Sequence, residues 1–197
     1  YVFSLPFFQL VRGLAQALVI IAALAAGGLY LLSGSLSSGF PATLTLTPPA
    51  RRHMATLAGV FLLLLAFGAW LSRSEQLIAS STLIYGAGYA DVNGRMPAAL
   101  LLMGVSVIGA GLAFLQALTP RNWPIPVAIG LYLVASVGGE LYASMLQRFV
   151  VLPNEQARES PYIQHNITAT RRAFALDEVD QRPISGDAML TRDDCTA

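Results

Sequence analysis

The sequence predicts an all-α membrane protein with about four transmembrane helices, followed by the start of a soluble extracytoplasmic segment. Of its 197 residues, 55% are hydrophobic and only 12% are charged, about half the charged share of an ordinary soluble domain. A soluble fold of this size could not bury so much apolar surface, whereas a lipid solvent removes that requirement. The acidic residues are concentrated towards the C-terminus. We therefore assign residues 1–149 to a transmembrane block and residues 150–197 to the start of an extracytoplasmic domain.

Four apolar runs are long enough to cross about 30 Å of hydrocarbon at about 1.5 Å per helical residue. They predict transmembrane helices near residues 11–33, 53–72, 97–118 and 124–148. The connection between the first two runs is rich in Gly, Ser, Thr and Pro, and its TLTLT alternation indicates at most a short strand.

The arginines in the connections indicate an orientation. The connections on one side of the membrane contain three of them, Arg51, Arg52 and Arg121. The connection on the other side contains Arg73 and Arg95. Because cytoplasmic loops carry an excess of positive charge, this difference of one residue favours cytoplasmic connections at residues 34–53 and 119–124. The tail is then extracytoplasmic.

The tail contains a second kind of pattern. Ser160 is suited to the N-cap of a helix and Pro161 to its first turn. Apolar residues then recur at helical spacing, at Ile163, Ile167 and Phe174. We predict an amphipathic helix near residues 161–174 that docks on further protein.

Glu140 is the acid within the fourth apolar run. Ionisable groups inside membrane helices are costly, and they usually face a bundle interior or a wet cavity. Polar residues recur every four positions around Glu140 and so share one face of the helix. They form a candidate intramembrane stripe of Tyr132, Ser136, Glu140 and Ser144. One interpretation is a path for an ion, a proton or a polar substrate. The alternative is that Glu140 snorkels to the helix end or hydrogen-bonds a neighbouring helix without further function.

No catalytic, cofactor-binding or metal-binding constellation stands out in the sequence. His53 and His165 lack partners at the spacing of metal ligands, and Cys195 is the single cysteine. The near-zero net charge argues against nucleic acid as a partner. We expect no enzyme activity and no cofactor, and we expect the partners to be the lipid bilayer and other transmembrane helices of the same or neighbouring chains.

Three stretches together resemble a known family. The chain begins with YVFSLPFFQ, has GAGYADVNGRMPA at residues 86–98, and has QRFVVLPNEQARESPYIQHNITATRRAFALDEV at residues 147–179. These are similar to segments of Uncharacterised Protein Family 0182, large bacterial multi-pass membrane proteins. The resemblance implies a protein of the bacterial cell (cytoplasmic) membrane. Such a protein has about seven membrane helices and a large extracytoplasmic domain. This chain would then be an internal fragment that supplies the last four helices and the opening of that domain. The resemblance transfers no catalytic residue.

Three functions remain open at this point. The membrane helices anchor or position a large external domain of the bacterial envelope, which handles envelope lipid or another substrate. Alternatively, the protein is transporter-like or channel-like and uses the polar stripe around Glu140. The third hypothesis is an accessory or scaffold subunit of a larger membrane complex, which the small residues along the apolar runs would suit.

Overall fold

The computed structural model describes residues 3–34, 36–39, 43–78, 86–121 and 123–176. Within them, four helical segments are long and apolar enough to cross a membrane: Ser4–Leu32, Pro48–Gln76, Asp91–Leu118 and Pro124–Ala173. The predicted all-α membrane fold is therefore confirmed. Cys195 and the acidic end of the tail lie outside the described residues.

The first helix, α1, spans Ser4–Leu32. It is followed by Gly34, whose φ of 68° is a left-handed conformation that glycine adopts without steric cost. A short antiparallel hairpin comes next, formed by β1 (Leu36–Gly39) and β2 (Thr43–Leu46), with Leu36 opposite Leu46. The TLTLT alternation thus does form a short strand.

The second helix, α2, spans Pro48–Gln76 and has proline in its first turn, where the missing N–H removes no helical hydrogen bond. Both α1 and α2 begin earlier than the predicted residues 11 and 53, and α2 also ends later than residue 72. The predicted bounds of α2 stop beside Arg52 and Arg73, because charged residues lower the hydropathy. The helix itself continues past both residues.

The third membrane segment begins as a π-helix at Asp91–Arg95 and continues as α3, Met96–Leu118. A short turn leads to α4, Pro124–Met145. The buried Gln116 side chain stabilises the start of α4, because its Oε1 accepts the backbone N–H of Ile125 at 2.8 Å.

The chain does not leave α4 through a flexible linker. A π-helix at Leu146–Val151 and a 3₁₀ turn at Leu152–Asn154 lead directly into α5, Glu155–Ala173. The helix predicted near residues 161–174 therefore begins at Glu155, and Pro161 lies inside it. The break in helical geometry occurs at Asn154 instead (φ −135°, ψ 42°), so Ser160 is not an N-cap.

Helices α2 and α3 form the centre of the bundle. In the most apolar stretch of each segment, the share of buried residues is 39% for α2 and 28% for Asp91–Leu118. It is only 6% for each of the two outer segments. A small core joins α2, α3 and α4, formed by Leu62, Ala110, Ala113 and Ala128. Helix α1 packs mainly along α2 and α4 mainly along α3, so the outer faces of α1 and α4 carry the apolar surface that lipid or other helices would cover.

Candidate functional site

A polar cavity of about 290 Å³ lies among the four membrane helices, at the end from which the tail leaves. Each helix supplies part of its lining. The polar side chains that line it are Arg12 and Gln16 from α1, Ser72 and Gln76 from α2, Arg95 from the π-helix before α3, and Tyr132, Ser136 and Glu140 from α4. The remaining lining residues are mostly Ala and Gly, which leave the space between the helices open.

The structure places three of the four stripe residues at this cavity. Tyr132 and Ser136 are partly buried, and Glu140 lines the cavity while its side chain stays exposed. Ser144, one turn further along α4, is exposed and does not contribute to the lining. Glu140 is exposed because α4 packs mainly against α3 and leaves its other faces open.

Arg12 is one of five polar cavity residues that sequence reasoning missed. The uncharged part of the first run starts after it, so Arg12 was not among the candidate residues. Its guanidinium lies against α2 at the buried Gly68, where an added Cβ would come within 3.0 Å of Arg12 Cζ. A larger residue at position 68 would displace the arginine.

A common spacing could have revealed the other missed residues. Arg12 and Gln16, like Ser72 and Gln76, are separated by four positions, which places each pair on one face of its helix. Ser136 and Glu140 have the same spacing. Three membrane helices that each carry such a polar pair indicate a shared polar interior.

Two buried polar atoms at the cavity lack a partner. Within the described part of the chain, Arg12 Nε and Gln76 Oε1 are buried and form no hydrogen bond. Buried polar groups in folded proteins are nearly always satisfied by protein, water or ligand. Near these residues, Gln9 Nε2 donates to Glu75 Oε1 at 2.5 Å and joins α1 to α2.

A second polar cluster joins the start of α3 to α5, and we name it the tail junction (residues 86–95 with residues 155–162). Its centre is Glu159, which is only 8% exposed. Both carboxylate oxygens of Glu159 accept the backbone N–H of Tyr89, at 3.1 and 3.3 Å. A carboxylate is stabilised there, because the first N–H groups of a helix are unpaired and carry the positive end of its dipole.

The glycine before Tyr89 allows this approach. A Cβ on the buried Gly88 would lie 3.1 Å from both oxygens of Glu159. The N–H of Gly88 is itself held by Asp91 Oδ2 at 3.0 Å, a capping interaction from the third helical position back to the N-cap. Asp91 also pairs with Arg95 at 2.7 Å.

Aromatic and cationic side chains surround the Glu159 contact. The Arg158 guanidinium lies over the Tyr89 ring, 5.2 Å from its centroid, which is an attractive cation–π geometry. The rings of Tyr89 and Tyr162 meet edge to face at 6.4 Å. Asn93 Nδ2 donates to the Tyr89 carbonyl at 3.0 Å and approaches the Tyr162 hydroxyl at 3.4 Å. The GAGYADVNGR and ARESPYI stretches therefore form one packed unit.

Small residues allow the tail junction and the start of α3 to pack closely against α4. Gly94 is buried, and a Cβ there would lie 3.2 Å from Ala143 Cα. One turn away, a Cβ on Gly139 would lie 3.0 Å from Ala98 Cβ. The backbones of α3 and α4 thus approach closely, as small residues permit in membrane helices.

At the opposite end of the bundle, His53 contacts Tyr30, whose hydroxyl lies 2.9 Å from His53 Nδ1. Among the described residues, no group of three or more His, Cys, Asp and Glu side chains is arranged to hold a metal ion.

Comparison with known proteins identifies the family. The profile of the uncharacterised protein family (UPF0182) matches residues 1–197. The chain is 35% identical to a UPF0182 protein of Streptomyces coelicolor over 209 residues, which cover 100% of the chain and 21% of that relative.

Other relatives give similar values. A UPF0182 protein of Geobacter sp. (strain M21) is 32% identical, with 98% of the chain and 22% of the relative covered. One of Rhodococcus jostii is 37% identical, with 91% and 19% covered. The chain thus spans about a fifth of the length of these curated relatives. No solved structure matches it. With a family profile matched from its first residue to its last, the chain belongs to the uncharacterised protein family UPF0182.

Proposed function

We propose that this chain is a membrane bundle that anchors and positions a large extracytoplasmic domain in the bacterial cell membrane. Its partners are the lipid bilayer and other transmembrane helices of the same or neighbouring chains. The positioned domain handles an envelope lipid or another envelope substrate. Relatives about five times longer than the chain are consistent with further domains.

The observation that carries the proposal is the tail junction. A simple tether needs only a flexible connection after its last membrane helix. Here α4 continues into α5 without a linker, and the buried Glu159 fixes α5 to the first turn before α3. The direction of α5 is therefore set by two helices of the bundle and not by one.

The exposed apolar side of α5 gives the following residues a surface to pack on. Ile167 is 46% exposed, and Phe174, one residue after the end of α5, is 74% exposed. Two of the three predicted apolar positions are therefore left uncovered by the bundle, while Ile163 is partly buried. Under the proposal, a domain after α5 covers these side chains, and the tail junction sets the orientation of that domain.

Distance measurements between spin labels test the positioning. One label is placed at the exposed Gln164 of α5 and the other at Leu118, at the far end of α3, in the complete protein with all of its native cysteines replaced. We expect a narrow distance distribution that broadens in Glu159→Gln and stays narrow in Glu155→Gln, a matched change in the same helix. A distribution that is equally narrow in all three proteins would reject a positioning role for the junction.

A functional exchange tests the proposal as a whole. If the complete protein keeps its cellular role when the bundle is replaced by an unrelated membrane anchor, the bundle is only a tether.

Transport is a second candidate, favoured by one observation. Tyr132, Ser136 and Glu140 converge with side chains of α1 and α2 on a single polar cavity. Proton flux into proteoliposomes is the simplest probe, since a carboxylate beside hydroxyl groups can relay protons. Glu140→Gln should abolish the flux and Ser144→Ala, outside the cavity, should not. Equal flux in both variants would reject a path through Glu140.

A further inference from the structure

We propose that the polar cavity binds a phosphate group that carries a protonated amine, the chemistry of an ethanolamine phosphate headgroup on a membrane lipid. The inference deepens the second candidate function, because it names the ligand class of the same cavity. It requires binding only. A protein that binds the headgroup and conducts no protons would reject transport and leave this inference standing.

The charged side chains of the cavity suit a ligand that carries both a positive and a negative charge. Arg12 and Glu140 belong to α1 and α4, the outer helices of the bundle, and both line the cavity. Among the described residues, neither forms an ion pair within 4.0 Å, whereas Arg95 is paired with Asp91. A site with one uncompensated charge of each sign is complementary to a ligand that carries both.

The two buried cavity atoms without a hydrogen-bond partner match the two charged groups of such a ligand. Arg12 Nε is a donor and suits a phosphate oxygen, which planar guanidinium groups bind with good geometry. Gln76 Oε1 is an acceptor and suits an ammonium group. Gln16, Ser72 and Ser136 add neutral hydrogen-bonding groups between the charged ones.

The size of the cavity fits a headgroup. A volume of about 290 Å³ corresponds to roughly ten water molecules at about 30 Å³ each. This is enough for an ethanolamine phosphate group with a few ordered waters. The exposed Glu140 side chain shows that the cavity is open on its α4 side.

The position of the cavity favours a lipid as the source. Arg95 lies at the start of α3 and Glu140 lies in the last two turns of α4, so both are near the level of lipid headgroups if these helices span the bilayer. An apolar groove of about 460 Å³ between α3 and α4 shares Ala98, Ala135 and Gly139 with the cavity. It is lined further by Leu101, Val105, Leu131 and Val134 and offers a surface for an acyl chain beside the polar site.

Native mass spectrometry of the complete protein tests the proposal. The protein is released from micelles that contain equal amounts of phosphatidylethanolamine and phosphatidylglycerol, two lipids that share the phosphate but differ in the amine. We expect the wild type to retain phosphatidylethanolamine with a preference of roughly tenfold, as one charge-assisted hydrogen bond allows. Glu140→Gln should lose this preference, and Arg12→Gln should retain less of both lipids.

Matched variants and a soluble competitor complete the experiment. Arg52→Gln and Glu155→Gln remove the same charges outside the cavity and should behave as the wild type. Displacement of the lipid by free ethanolamine phosphate would show that the headgroup alone is recognised. A lack of displacement, with the preference intact, would show that the acyl chains are needed. Equal retention of both lipids by the wild type would overturn the proposal. A preference that survives in folded Glu140→Gln, or undiminished retention of both lipids by folded Arg12→Gln, would also overturn it, with folding checked by thermal unfolding.

Discussion

Replacing Glu159 by Gln tests how strongly the tail junction is held. The side chain is only 8% exposed, and its two oxygens accept the Tyr89 N–H at 3.1 and 3.3 Å. Glutamine has almost the same shape and keeps one oxygen acceptor, so the substitution removes the negative charge and little else. The expected effect is therefore local to the first turn before α3.

The magnitude follows from the loss of charge. A hydrogen bond to a charged group contributes about 1.5–3 kcal/mol, against about 0.5–1.5 kcal/mol for a neutral one. A negative charge at a helix N-terminus contributes about 0.3–1 kcal/mol, and part of that contribution is already counted in the charged hydrogen bond. We expect the free energy of local opening at Tyr89 to fall by about 1–2 kcal/mol, which corresponds to a factor of about 5–30 in the opening equilibrium.

Hydrogen exchange of the Tyr89 amide measures this opening directly. Labelling the complete protein with ¹⁵N-tyrosine in detergent micelles restricts the spectrum to tyrosine amides, and the signal that is lost in Tyr89→Phe is that of Tyr89. Where exchange reports the opening equilibrium, the Tyr89 amide should exchange about 5–30 times faster in Glu159→Gln. Glu155→Gln, which removes a charge from the same helix, should leave this rate unchanged. If Tyr89 exchanges at the same rate in the wild type and in Glu159→Gln, the carboxylate does not hold the junction and the reasoning is refuted.

Two further predictions concern packing and orientation. Gly94→Ala should destabilise the protein by about 1–3 kcal/mol in thermal unfolding, because its Cβ would lie 3.2 Å from backbone of α4. Gly104→Ala, with nothing within 4 Å of its Cβ, should be neutral or up to about 1 kcal/mol stabilising, and the same sign for both changes would contradict the packing argument. In intact cells, a membrane-impermeant maleimide should label Gln164→Cys but not Arg121→Cys, in the complete protein with all of its native cysteines replaced. Labelling of Arg121→Cys alone would reverse the proposed orientation.

The number of membrane segments could be predicted because hydropathy is a local property. A run such as Ala98–Leu118 must be helical in lipid, where each backbone polar group needs a partner within the segment. The ends were less predictable, since a hydropathy window ends at Arg73 while the helix continues to Gln76. The predicted start of α5 at Pro161 was too late for a related reason. Proline is common in a first helical turn, but this helix begins at Glu155.

The candidate site could be predicted only in part. The stripe on α4 follows from four-residue spacing, and three of its members do reach the cavity. Arg12 belongs to the same cavity because α1 packs on α2 at Gly68. The spacing of Arg12 and Gln16 indicates a polar face on α1, but it does not tell which helix that face packs against. The exposure of Glu140 likewise depends on which faces of α4 the other helices leave open.

By itself, the sequence determined that this protein is a bundle of about four membrane helices with a patterned tail, because length and apolarity act within each segment. Only the tertiary structure decided which polar residues meet. Glu159 and Tyr89 are 70 positions apart, and Gln9 and Glu75 are 66 apart. Contacts over such separations depend on the packing of whole helices against one another, which small residues such as Gly68 and Gly94 permit and no local periodicity encodes.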